Sequence, residues 1–183
     1  MASFPKRRAR RRRPKKVGPA ANAPSKDAGQ VVIVFGPPGV GTSTVVDCLA
    51  HATSRPNIIV PYCDSWSREA LVRVVDNNPN LTVFADVDGG LIAPEDVQGF
   101  VDDGLLHLGS GLLVRLYSPN EDILERARER VGYIDEMDLK EWNENIRHVE
   151  DVIRLHTLQY YMVPNIDLVE AVKQVALRAG IQD

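Results

Sequence analysis

The sequence predicts an α/β fold, a five-stranded parallel sheet with helices on both faces, preceded by a basic arm. Three observations carry that expectation. Apolar, β-branched runs alternate with helical patterns over residues 31–183 in the order βαβαβαβααβα. The first run leads directly into a glycine-rich turn, Gly36-Pro37-Pro38-Gly39-Val40-Gly41-Thr42-Ser43-Thr44, followed by a helical pattern. The charge is also divided. Of 22 Lys/Arg and 25 Asp/Glu, residues 1–30 hold ten and one, leaving 12 basic against 24 acidic residues in the remainder. The chain thus divides into an arm and linker (1–30) and a single domain (31–183) large enough for a real core.

Val31 to Phe35 is a continuous apolar run, as expected of a strand buried on both faces. Ser43 to Ala50 begins the first helix, and Asn57 to Pro61 is a short second strand. Ser67 to Asn77 carries Ala70, Leu71, Val74 and Val75 at helical spacing and stops at Asn77-Asn78-Pro79. Leu81 to Ala85 is a third strand that delivers Asp86 at its carboxyl end. The helix over Pro94 to Asp103 opens with proline and acids, where the helix dipole favours them. Leu112 to Tyr117 is a fourth strand, and Ser118-Pro119-Asn120-Glu121 opens a helix running to about Arg130. Gly132 to Asp138 interrupts the pattern. Leu139, Trp142, Ile146, Val149, Ile153 and His156 then recur at spacings of three and four, an amphipathic helix. Tyr160 to Pro164 is a fifth strand, and Asp167 to Ala179 a last helix before Gly180.

The glycine-rich turn matches the phosphate-binding pattern G-x-x-x-x-G-K-[ST] except that Thr42 stands in the lysine position. Strand, turn and helix N-terminus aim backbone N–H groups and the positive end of the helix at one place, which favours bound phosphate without any side chain. Gly36, Gly39, Val40, Gly41, Thr42, Ser43 and Thr44 are the expected nucleotide-binding residues, and the Ser43 hydroxyl falls where a magnesium ligand belongs. An ordinary glycine-rich turn is the plainer alternative. Asp86 and Asp88 follow the third strand, and a carboxylate there can hold magnesium beside the phosphates. As turn-formers before Gly89-Gly90 they would need no such role. Arg126, Arg130 and Arg147 flank the interruption at 132–138, which has the form of a lid whose guanidiniums clamp phosphates. On helices this rich in Glu and Asp, arginines also serve as surface ion-pair partners. Tyr62, Asp64, Ser65 and Arg68 follow the second strand, on the side where a phosphoryl acceptor is expected, although Asp64-Ser65 also suits a helix cap.

Residues 6–16 hold nine Lys/Arg with almost no apolar side chains, so the arm is expected to be disordered in isolation and suited to the phosphates of DNA or RNA. A nuclear-import signal and a solubility tail are the alternatives. No run is long enough to span a membrane, and no hydrophobic segment follows the basic N-terminus as in a secretory signal. Cys48 and Cys63 show no zinc pattern and fit a reducing compartment, so an intracellular, cytoplasmic setting is expected, or a nuclear one if the arm directs import. None of the four histidines falls in a catalytic pattern.

With these elements in place the chain resembles P-loop nucleotide and small-molecule kinases, most of all the guanylate kinase branch. The loop through Thr44, Asp86-Val87-Asp88 and Tyr161-Met162-Val163-Pro164-Asn165 carry the likeness. The stretch between Thr44 and Asp86 is too short for the full monophosphate-binding insert of that branch, and its tyrosine-rich signature is missing. Gly39-Val40-Gly41-Thr42-Ser43-Thr44 is similar to the loop of 2-phosphoglycerate kinases, which also carry threonine there. The resemblance implies ATP or GTP with Mg, Ser43 and Asp86 at the metal, and Asp86, Arg126, Arg130 and Arg147 in catalysis. Two functions follow as expectations: a small phosphotransferase with a lysine-less loop, or a non-catalytic nucleotide-binding protein, for instance viral, tethered to nucleic acid by its arm.

Overall fold

The computed structural model describes residues 30–61, 67–88, 92–106, 111–131 and 136–181. The arm at 6–16, Tyr62, Asp64, Ser65 and residues 132–135 of the expected lid lie outside the described residues. Eleven elements follow in the predicted order: β1 (Val31–Gly36), α1 (Thr42–Ala52), β2 (Asn57–Val60), α2 (Arg68–Asn77), β3 (Thr82–Asp88), α3 (Pro94–Asp102), β4 (Gly111–Tyr117), α4 (Asn120–Val131), α5 (Glu136–Leu155), β5 (Tyr160–Pro164) and α6 (Leu168–Arg178). The five strands are parallel and lie in the order β2-β3-β1-β4-β5.

The continuous apolar character of β1 follows from its central place, with β3 on one side, β4 on the other and helices over both faces. Alternate residues of the strands enter two cores. Val32, Val34, Phe84, Val114 and Leu116 pack under α1, α4 and α6, whereas Ile33, Phe35, Ala85, Val87 and Leu113 pack under α2, α3 and α5. Helix α5 takes part in both: Leu139 belongs to the first core, and Ile146, Val149 and Ile153 to the second.

Helix starts follow the local chemistry. Ser67 Oγ accepts from the Ala70 amide at 3.2 Å, the Asp96 carboxylate from the Ala93 amide at 2.9 Å, and the Asp167 carboxylate from the Glu170 amide at 2.9 Å. One boundary differs from the sequence expectation in a way that affects the site. Strand β3 continues through Asp88 because β1 itself extends to Gly36 and keeps offering ladder partners, so Asp86 pairs with Val34 inside the strand rather than following it.

Candidate functional site

The site begins where β1 ends. Beyond Gly36 the chain passes through Gly39 at φ 82° and Gly41 at φ 93°, left-handed conformations that favour glycine. Gly41 is also the N-cap residue of α1, and it has no side chain with which to cap the helix. Its first-turn amides are left for an external acceptor, and the helix dipole favours an anion there. A Cβ on Gly41 would lie 2.8 Å from Asn165 Nδ2, which explains the second requirement for glycine. That amide nitrogen donates to the Val40 carbonyl at 2.6 Å, and the Asn165 backbone N–H donates to Tyr117 O at 2.8 Å. The buried Asn165, just past β5, therefore ties the loop to the ends of β4 and β5.

Asp86 reaches the loop by strand alternation. Phe84 faces the core under α1, so Asp86, two residues on, faces α1 as well. It is 3% exposed, and its Oδ2 accepts from Ser43 Oγ at 2.5 Å. Its Oδ1 is buried and has no hydrogen-bond partner among the described residues. An unpaired buried carboxylate oxygen is costly, and a hard cation removes that cost. Carboxylate and hydroxyl oxygens are the donors magnesium takes, so Ser43 and Asp86 fit the group. No cluster of three or more Asp, Glu, His or Cys able to cage a metal occurs among the described residues. Asp88 ends β3 opposite Gly36.

Among the described side chains, the structure brings one of the expected arginines to the loop. Arg126 on α4 donates through Nη1 to Asn165 O at 3.4 Å and lines, with Gly39, Gly41 and Thr44, a cavity of about 270 Å³. Ile166 and Leu168 supply its apolar side. Thr42 is half-buried in the first turn of α1. Arg147 lies elsewhere, in a cleft of about 630 Å³ between α4 and α5, and is not among the residues lining the loop cavity. Arg130 falls within α4, with its side chain outside the described set. On the acceptor side, Arg68 is committed to packing: it lies against Gly99 of α3, where a Cβ would meet its Nη1 at 1.7 Å, and its Nε is 3.6 Å from Asp103.

Sequence reading missed a buried charged group on the opposite face of the sheet. Arg115 Nη1 on β4 pairs with Glu150 Oε1 on α5 at 2.7 Å, and the Tyr160 hydroxyl on β5 donates to the same oxygen. Burial pushes the Glu150 carboxyl up, but the Tyr160 hydroxyl and the Arg115 guanidinium outweigh it and hold the group below its ordinary value. Burial first, then the hydrogen bond to Glu150 and that group's charge, push the Tyr160 phenol upwards. Through Nη2, Arg115 also donates to Asn143 Oδ1 at 3.5 Å. The signal was present in the sequence, since Arg115 is the one charged residue in the run Leu112-Leu113-Val114-Arg115-Leu116.

The fold recurs in solved structures. A gluconokinase from Sinorhizobium meliloti 1021 superposes with a TM-score of 0.55 at 18% identity, covering 85% of this chain and 94% of its own. A sugar kinase from Janibacter sp. HTCC2649 gives 0.57 at 14% identity over 84% and 95%, and the deoxyadenosine kinase from M. mycoides with bound dATP gives 0.56 at 12% over 82% and 100%. These likenesses establish a P-loop kinase fold. No protein-family model and no curated protein sequence matches the chain.

Proposed function

We propose that the chain binds a nucleoside triphosphate with magnesium at the Gly36–Thr44 loop and acts as a small phosphotransferase. The observation that carries this reading is the Ser43–Asp86 pair, with a buried carboxylate oxygen unsatisfied beside an uncapped, glycine-rich helix start. First-turn amides would hold the phosphates, Ser43 and Asp86 the metal, and Arg126 would supply positive charge at the loop in place of the missing lysine. Magnesium bound there would neutralise charge developing on the transferred phosphoryl group. The apolar Ile166 and Leu168 suit a nucleobase, and ATP and GTP are both compatible with them. The kinase neighbours, one of them with bound dATP, support nucleotide chemistry in general. Neither the guanylate kinase branch nor the 2-phosphoglycerate kinase likeness of the loop has support beyond the residues quoted for it. Arg130 remains proposed as an additional phosphate-binding group, whereas Arg147, expected in the same role, lines the α4–α5 cleft instead.

Thr42 favours a second reading, in which the loop keeps binding without turnover and the arm at residues 6–16 anchors the protein to DNA or RNA. If about half of the arm's charges contact phosphates, log K falls with log salt at a slope of roughly −4. Equal nucleic-acid binding by the full chain and by a chain lacking residues 1–30 would remove the arm from the account.

Calorimetry with ATP in the presence of magnesium tests the shared premise, and absence of binding overturns both readings. A phosphoryl-transfer screen over nucleoside monophosphates and small hydroxy compounds then separates them.

A further inference from the structure

The α4–α5 cleft has a chemistry of its own. Its floor is Leu124 and Leu139, both buried. Glu121, Lys140, Glu144 and Arg147 line it, and none of the four has an ion-pair or hydrogen-bond partner among the described residues. Four charged side chains around one apolar floor, with no ion pair among them, differ from an ordinary helix surface, where such groups at spacings of three and four pair off.

Asn143 gives the cleft a direction. Its Oδ1 accepts from Arg115 Nη2, and Arg115 is itself fixed by Glu150, which the Tyr160 hydroxyl holds in turn. Arg115 offers only donors, so the Asn143 carbonyl faces it and the NH₂ is left available to a ligand in the cleft that Asn143 lines. Arg147 lies one turn further along the same face of α5, and Lys140 one position short of a turn before it. Three donors on one wall, two of them cationic, are a match for an anionic group. Glu121 and Glu144 are acceptors for hydroxyls.

The cleft and the loop cavity open on different sides of α4. At about 100° per residue, the mean direction of Glu121 and Leu124 lies roughly 140° from that of Arg126 and Glu129. A shallow hollow along Glu121, Leu124, Glu125, Arg128 and Glu129 runs between them.

We infer that the α4–α5 cleft binds a small hydroxylated anion, its carboxylate or phosphate ester held by Arg147, the Asn143 amide and Lys140, and its hydroxyls by Glu121 and Glu144. This site does not depend on the nucleotide reading.

The test is a ¹H–¹⁵N titration of the full chain, without nucleotide, using ribonate, ribose phosphate and ribose. These share a carbon skeleton and differ in the anionic group. Saturable shifts of the Asn143 side-chain amide with ribonate or ribose phosphate, and none with ribose at equal concentration, are expected; which anion binds more tightly identifies the source. Read from the backbone amides of residues 139–147, which both variants retain, Arg147→Ala and Asn143→Asp should each weaken binding roughly tenfold or more, the loss expected for one charge-assisted hydrogen bond. Asn143→Asp keeps the Arg115 contact, so its native spectrum serves as the folding control. Equal shifts with ribose, no saturable shift with either anion, or unchanged affinity in both variants would overturn the site. A failure of ATP binding would leave it standing.

Discussion

The side-chain amide of Asn165 donates to the Val40 carbonyl across 2.6 Å, so the loop between β1 and α1 is braced by a residue 125 positions further along the chain. Replacing it by alanine leaves a buried carbonyl unsatisfied and should destabilise the fold by about 1–3 kcal/mol. It should also loosen the loop. Urea unfolding and ATP calorimetry on Asn165→Ala should show both losses; unchanged ATP affinity in a destabilised protein would mean that the brace is structural only.

The Ser43–Asp86 pair predicts a magnesium-linked effect. Asp86→Asn keeps the shape of the side chain and removes its charge. In the wild type, ATP should bind more tightly with magnesium than with a chelator present. In the variant the two affinities should converge, and a full magnesium increment in Asp86→Asn would remove the metal role from this residue.

Thr42 occupies the place of a phosphate-binding lysine. Thr42→Lys adds a preorganised charge worth about 3 kcal/mol on a transferring phosphate, on the order of a hundredfold in rate. A phosphotransferase should therefore gain turnover, measured as product formed per enzyme. Tighter ATP binding with no turnover would identify the non-catalytic reading, and no change in either would place Thr42 away from the phosphates.

The Arg115–Glu150 pair predicts a stability signature. Arg115→Leu strands a buried carboxylate and should cost about 3–5 kcal/mol, whereas Arg115→Leu with Glu150→Leu should recover most of it. The Glu150 carboxyl is held below its ordinary value of 4.5. Its contribution is therefore fully present above pH 4.5 and lost as the pH falls through the lower, folded-state value. Urea unfolding at a series of acidic pH values should show a steeper loss for the wild type than for the double variant. Parallel curves would contradict this role.

The sheet and its helices were legible because each rests on local pattern: continuous apolar runs for strands buried on both faces, spacings of three and four for helices, and capping residues at their starts. The loop was legible for the same reason, since its geometry is set by neighbours in sequence. The cleft and the buried pair were not. They depend on which positions of β4, α4 and α5 meet, and helical periodicity alone gives no register between elements. Arg68 shows the same limit: its place after β2 suggested substrate, but Gly99 leaves room for its side chain on α3, a fact that only the packing reveals. Arg126 and Arg147 look equivalent in sequence, yet they line different cavities.

Strand β1 is first in the described chain and central in the sheet, paired through Val31 with Val83 on one side and Gly111 on the other. During synthesis its apolar Val31–Phe35 edge therefore emerges long before either neighbour exists. Chains stopped before β4 would leave it as an open, sticky template, the kind of edge that recruits other strands. The phosphate loop is thus written early but can be braced only once Asn165, past β5, has been made, and fragments ending before β4 should accumulate as aggregates rather than as small nucleotide-binding modules.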